Sequence, residues 1–165
     1  MYNSYIMAHK DTKVGHIHLT VSNLNRSLAF YRDLLGFEVS AYYGDSAVFL
    51  SAGGYHHHIG LNTWAGKGAK PAPSGHTGMY HVAFLYPSRI ELAKVLKKLL
   101  EANYPLDGSA DHGVSEAIYL RDPDGNGVEL YVDRPRKEWK IDQNGMIKMV
   151  TEPLDLKNIL LELKK

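Results

Sequence analysis

The chain has no cysteine, so disulfides, thiolate metal sites and a cysteine nucleophile are excluded together. It has no apolar run approaching the roughly 18 residues that a membrane-spanning helix requires. Its opening stretch, MYNSYIMAHKDTK, lacks the apolar centre of a secretory leader, and a cytoplasmic protein is the expectation. An excess of one charge is missing as well. Lys and Arg number 19 against 18 Asp and Glu, the net charge is +1 with histidine neutral, and no long block of one sign occurs. Neither nucleic acid nor an anionic membrane is therefore an expected partner. What remains is an ordinary soluble composition, 44% hydrophobic and 22% charged, in 165 residues that suffice for one domain with a sizeable core.

Hydrophobic periodicity divides the chain into two similar halves and a tail. GHIHLTV (15–21) alternates as a strand does. SNLNRSLAFYRDLLG follows, with Leu24, Leu28, Tyr31 and Leu35 at helical spacing, Ser22 or Asn23 as N-cap and Gly36 as stop. FEVSAYY, AVFLS and approximately HHHIGLN then read as three short strands separated by Gly-Asp-Ser and Gly-Gly turn signals. The second half repeats this order. MYHVAFLY (79–86) reads as a strand, and PSRIELAKVLKKLLEA as a helix with Ser88 and Glu91 spaced as a capping box. YPLDGS, SEAIYLR and GVELYVD read as three further strands. Each half is βαβββ, about 14–62 and 78–134, and the Gly-, Pro- and Ala-rich stretch 63–77 reads as their linker. Neither half has enough sheet to close a core alone, so the two are expected to pack as one α+β domain over 14–134.

Overlaying the halves aligns HIHLTV with HVAFLY and IGL (59–61) with VEL (128–130), which matches His16 with His81 and Gly60 with Glu129. The spacings agree closely, 44 residues from His16 to Gly60 and 48 from His81 to Glu129. Residues able to bind a ligand thus recur at the start of the first strand and the end of the last. Gly60 is the one position where a side chain is replaced. A histidine at a strand start is commonly a core residue with its hydrogen bonds satisfied, but recurrence at matched positions favours metal ligation for His16 and His81. His18 shares a face with His16, yet its counterpart is Ala83, so it reads as a pocket-lining residue at most.

Two other stretches have competing readings. DPDGNGVELYVD (122–133) places Asp, Asp, Asn and Gly as an EF-hand loop does, but its eighth position is Glu129, its twelfth is Asp133, and strands flank it; a turn is the better reading. The run His56, His57, His58 is either a solvated turn after Gly53-Gly54 or the source of one catalytic imidazole. The tail from Arg136 holds an Asn-Gly hairpin signal in KIDQNGMIKMV. It ends in DLKNILLELKK, an amphipathic helix with Leu156, Ile159, Leu160 and Leu163 on one stripe and Asp155 as cap. This helix is expected to pack on the domain or on a second subunit.

Paired βαβββ halves carrying His16, His81 and Glu129 in this pattern resemble the vicinal oxygen chelate superfamily. That superfamily includes glyoxalase I, the fosfomycin and bleomycin resistance proteins, and extradiol ring-cleaving dioxygenases. The resemblance implies two modules folded into one cup-shaped, mostly antiparallel sheet around a divalent metal. His16, His81 and Glu129 would be its ligands, and Gly60 would stand where glyoxalase I has a fourth. A narrower match lies in DHGVSEAIYLRDPDGNGVELY (111–131). It is similar to the extradiol dioxygenase signature through His112, the Ile118-Tyr119 pair, Asp122-Pro123-Asp124-Gly125 and Glu129. Extradiol enzymes carry an acid–base histidine three residues before the vacant ligand position, which here is His57, with His58 as the alternative if the strand is bulged. A glycine at 60 would leave an open position for substrate.

The resemblance therefore implies an extradiol dioxygenase that cleaves a catechol-type diol with O₂. Two imidazoles and one carboxylate make the facial triad suited to Fe(II), with Mn(II) as the alternative ion. His57 or His58, Tyr119 and His112 would handle protons. A glyoxalase-like lyase or isomerase using Zn(II) or Ni(II) is the first alternative, although Gly60 offers no fourth donor for that chemistry. A metal-dependent resistance transferase is the second, since it would need the same triad. Single-pair members of the superfamily usually assemble as dimers, so a homodimer is expected.

Overall fold

Each half of the repeat builds its own four-stranded sheet. The computed structural model describes residues 7–73 and 75–165; residues 1–6 of the stretch read for a leader, and Ser74 of the linker, lie outside the described residues. In the first half β1 (Ile17–Thr20), β2 (Glu38–Tyr43), β3 (Ala47–Ser51) and β4 (Ile59–Asn62) are ordered β1-β4-β3-β2. In the second, β5 (Val82–Leu85), β6 (Leu106–Asp111), β7 (Ser115–Arg121) and β8 (Gly127–Asp133) are ordered β5-β8-β7-β6. The last strand of each half lies beside the first and parallel to it, and the remaining pairs are antiparallel. This is the α+β arrangement of paired βαβββ modules that the repeat predicts. The likeness extends to an irregularity: the ladder shifts between Val39 and Ala41 in β2, and between Leu106 and Gly108 in β6.

The connecting helices show why the halves cohere. α1 (Leu24–Leu28) is capped by Asn23, whose Oδ1 accepts the Arg26 N–H at 3.1 Å, so Asn23 rather than Ser22 is the cap. The α conformation is shorter than its spacing predicts. Over Ala29–Leu34 the chain widens into a π-helix, with Leu35 N–H donating to the Phe30 carbonyl. The wider turn lets the adjacent Phe30 and Tyr31 both point inward, at 1% and 0% exposure. α2 (Arg89–Glu101) is capped by Ser88, whose hydroxyl accepts the Glu91 N–H at 3.4 Å; the Glu91 carboxylate turns to Lys94 instead of closing the capping box. Side chains from both helices and both sheets form one buried cluster, which includes Leu28, Leu61, Leu96 and Leu130. Each fully buried residue of this size contributes about 1.5–3 kcal/mol, so the shared core is the main term joining the halves.

The 122–126 turn is a staple between the halves rather than a cation loop. Asp122 Oδ1 accepts N–H bonds from Asp124 and Asn126, while its Oδ2 accepts the Tyr31 hydroxyl at 3.0 Å. Asp124 accepts from both the backbone and the hydroxyl of Ser22, and Arg26 donates to the Pro123 carbonyl at 2.7 Å. Every acidic oxygen that suggested cation binding is thus committed to a donor across or within the turn.

The tail returns to the second half. An Ile141–Ile147 bridge and Gly145 at φ +78° form the hairpin that Asn-Gly signals. Asp111 and Glu152 then exchange two backbone hydrogen bonds of 2.9 Å along the edge of β6. α3 (Leu156–Leu160), capped by Asp155, packs on α2 of the same chain with Ile159 fully buried. Beneath it the buried Glu116 carboxylate accepts from Arg89 at 2.6 Å and from Arg134 at 3.1 Å, and Arg89 also reaches Glu162 at 2.9 Å. Removing Glu116 leaves two guanidinium groups facing each other without their shared anion. Glu116→Ala should cost about 3 kcal/mol, or roughly 6–12 °C in melting temperature, whereas the surface variant Lys94→Ala should cost under about 0.5 kcal/mol. Equal melting curves for the two variants, followed by circular dichroism, would show that the network carries no stability.

Candidate active site

The site on the second half follows from strand register. Parallel pairing sets Ala83 of β5 opposite Glu129 of β8, and the antiparallel ladder sets Tyr119 of β7 opposite Glu129 on its other side. His81 lies two residues before Ala83, so alternation returns its side chain to the same face. There its Nε2 stands 2.9 Å from Glu129 Oε2. The Glu129 carboxylate is only 12% exposed and the His81 side chain 31%, and His81 Nδ1 is buried with no hydrogen-bond partner.

Tyr119 extends this pair. Its hydroxyl is 3.4 Å from Glu129 Oε1 and 2.6 Å from His112 Nε2. The other nitrogen of His112, Nδ1, is 2.8 Å from the carbonyl oxygen of Val150. Burial, and then the negative charge of Glu129, push the Tyr119 hydroxyl up to about 12, so it keeps its proton throughout the neutral range. His81, His112 and Tyr119 line a cavity of about 640 Å³ together with Gly108 and Thr151.

The equivalent place on the first half is built differently. Register sets His18 opposite Gly60, and Phe49 where Tyr119 stands in the other sheet. The imidazole of His18 lies directly over Gly60; a Cβ there would come within 2.9 Å of the ring. The space expected to stay open above Gly60 is therefore filled by His18, which also contacts Trp64 and Phe49 at ring-centroid distances of 5.2 and 5.8 Å. β4 begins only at Ile59, so the histidine run precedes it. His58 is directed toward Ser51 Oγ and Ala52 N, both 3.3 Å from its Nδ1. His57 instead packs on His16, with ring centroids 4.4 Å apart, and its Nδ1 lies 2.7 Å from that of His56. Partial burial, aided by the imidazoles of His16 and His56, lowers the His57 pKa below its ordinary value.

The residues singled out from sequence thus fall into two groups: His81, Glu129, Tyr119 and His112 on one, His16, His57 and His18 on the other. Among the described residues no three His, Asp or Glu side chains converge closely enough to hold a metal ion. The His81–Glu129 pair does fit two neighbouring ligands. Donors about 2.0–2.2 Å from an ion and at right angles around it stand about 3 Å apart, and the observed separation is 2.9 Å.

Residues 13–130 match the Glyoxalase/Bleomycin resistance protein/Dioxygenase superfamily. The chain belongs to this superfamily. It is 42% identical over 154 residues to a catechol-2,3-dioxygenase of Bacillus subtilis (strain 168), covering 93% of this chain and 53% of that protein. It is 31% identical over 121 residues to a biphenyl-2,3-diol 1,2-dioxygenase 3 of Rhodococcus globerulus, covering 73% of this chain and 63% of the relative. The chain therefore spans between half and two thirds of the length of these relatives. In structure it resembles a glyoxalase/dioxygenase from Nostoc punctiforme, with a TM-score of 0.66 at 19% identity over 82% of this chain and all of that one, a likeness of fold.

Two contributions come from beyond the superfamily match: Thr151, which lines the cavity, and the Val150 carbonyl, which accepts from His112. Neither has a sequence signature, because a backbone carbonyl is common to all residues and the tail pattern announces only a hairpin and a helix. The glycines allow a sharper test of the strand register. At Gly127 a Cβ would clash with the Tyr80 carbonyl oxygen, a backbone contact fixed by the β5–β8 ladder. Gly127→Ala should cost about 3 kcal/mol or more. Gly60→Ala meets the His18 side chain rather than backbone and should cost about 1 kcal/mol, a penalty that falls in a His18→Ala background. Equal costs at both glycines in denaturant titrations would disprove the contrast between them.

Proposed function

We propose that the chain is a metal-dependent extradiol dioxygenase that opens a catechol-type ring with O₂. Fe(II) is the favoured ion and Mn(II) the alternative, with the adjacent His81 and Glu129 as ligands and His16, which stands in the other group, as the third ligand that the repeat and the superfamily resemblance imply. The reading rests on one observation above the others. The metal-fitting pair His81–Glu129 is joined through Tyr119 to His112, so ligand donors and proton-handling groups share one face of one sheet. The names of the relatives, a catechol and a biphenyl-diol dioxygenase, support the same chemistry.

A bound divalent ion supplies Lewis acidity that favours the ionised diol and a path for electrons to O₂. The chain supplies the rest. The Tyr119 hydroxyl, beside Glu129, is placed to bond a diol oxygen on its cavity side. A proton received at Tyr119 has an acceptor 2.6 Å away in His112 Nε2. His57, packed on His16, would serve the opposite side of the substrate. His58, bonded to Ser51 and Ala52, has no such role. A glyoxalase-like reaction is less well served, because position 60 offers no donor and the His18 ring covers it.

The test is metal analysis under anaerobic purification followed by a catechol screen for the yellow ring-opened product. His81→Ala and Glu129→Ala should lose most of the metal, and His16→Ala should weaken its binding. Tyr119→Phe, His112→Gln and His57→Ala should retain metal and lose roughly 10²–10⁴-fold in turnover, while His58→Ala stays near the parent rate. Full metal loading in both the His81 and Glu129 variants would refute the ligand assignment, and unchanged metal in His16→Ala would remove that residue from it.

A further inference from the structure

We infer that the C-terminal segment 150–152 is a positioning element of the site, its Val150 carbonyl fixing which nitrogen of His112 faces Tyr119 as a proton acceptor. A neutral imidazole has one N–H donor and one acceptor nitrogen. A carbonyl oxygen only accepts. With Val150 O 2.8 Å from His112 Nδ1, the hydrogen of the neutral ring resides on Nδ1, and Nε2 is left as a lone pair. That lone pair stands 2.6 Å from the Tyr119 hydroxyl, which must then be the donor between them. The Tyr119 proton is thereby drawn away from Glu129, whose Oε1 is 3.4 Å distant. In the opposite tautomer Nε2–H would point at Tyr119, and His112 would have no capacity to take a proton from it.

The segment is built to hold this geometry. Val150 N–H donates to the His112 carbonyl at 3.1 Å, so the same residue grips both backbone and ring of His112. The Asp111–Glu152 pair of 2.9 Å bonds extends the grip along β6, and Ser109 Oγ reaches the Leu154 carbonyl at 3.4 Å. Gly113, at φ +74°, passes close beneath Val150, where an added Cβ would lie 3.3 Å from Val150 Cγ2. Thr151, between the two anchoring residues, turns toward the cavity shared by His81 and Tyr119. A tail outside the repeated modules thus completes a site that the modules begin.

The functional half of this inference rests on the reading of His112 as proton acceptor in ring cleavage; the tautomer does not. The experiment replaces the Val150–Thr151 amide with an ester, by incorporating the α-hydroxy analogue of threonine at position 151 during translation. The Val150 carbonyl becomes a poorer acceptor while every side chain is retained. Long-range ¹H–¹⁵N spectra of histidine-labelled, metal-free protein should show His112 protonated on Nδ1 in the all-amide chain and shifted toward Nε2 in the ester. Turnover on the best catechol should fall about 10- to 100-fold, with KM changed less than about twofold and metal content unchanged. An Nε2–H tautomer in the all-amide protein, or no shift in the ester, overturns the assignment. A tautomer shift with unchanged turnover in an active enzyme overturns the functional half. If the tautomer shifts while neither protein cleaves any catechol, the positioning stands and the dioxygenase reading fails.

Discussion

In each half the last strand lies beside the first and runs parallel to it, a pairing that no hairpin can produce and that only the intervening helix and meander make reachable. This pairing brings the start of one strand to the middle of another across more than forty residues of sequence. It sets His18 against Gly60 and Ala83 against Glu129, and it carries His81 onto the face of Glu129. A slip of one residue would turn the Glu129 carboxylate into the helix-packed core, where Val128 and Leu130 are 1% and 0% exposed. The apolar alternation that buries β8 therefore also aims its carboxylate.

The two halves share this constraint and use it in opposite ways. In the second, the small Ala83 stands beside the long Glu129; in the first, the large His18 stands beside Gly60. Each pair matches one bulky side chain with one small neighbour, as close parallel strands require. The glycine is thus a steric consequence of His18, whose ring comes within 2.9 Å of where a Cβ would stand. The absent fourth donor and the covered surface above position 60 have the same cause.

Much of this was legible in the sequence because it follows from period and repetition. Alternation marked the strands, and the overlay of His16 on His81 and of Gly60 on Glu129 agrees with the observed registers. The signature 111–131 contains both His112 and Tyr119, which the fold brings to 2.6 Å. What escaped the sequence depends on tertiary geometry. The π-helical turn arises from burying Phe30 and Tyr31 together, and helical spacing alone does not register it. The parity of a regular strand cannot tell His57 from His58, since both lie before β4 and are oriented by separate contacts with His16 and Ser51. The part played by the tail rests on a carbonyl, which carries no residue identity.

The groups of the site consequently stand on supports of unequal strength. His81 and Glu129 are held by the β5–β8 ladder, which is backed by fully buried residues such as Leu120, Leu130 and Leu96, each contributing about 1.5–3 kcal/mol. His112 follows the end of β6, and its ring orientation comes from the tail. That tail is held by backbone hydrogen bonds at Val150 and Glu152, near 1 kcal/mol each, by the Ser109–Leu154 bond and the Arg89–Glu162 pair, and by Ile159 with the partly buried Leu154, Leu156 and Leu160. With one fully buried side chain against the many that back the sheets, residues 150–160 form the less strongly held support of the site. Loosening of the tail releases the His112 ring while leaving His81 and Glu129 in place, so the strength of the proton-handling arrangement depends on α3 remaining packed against α2.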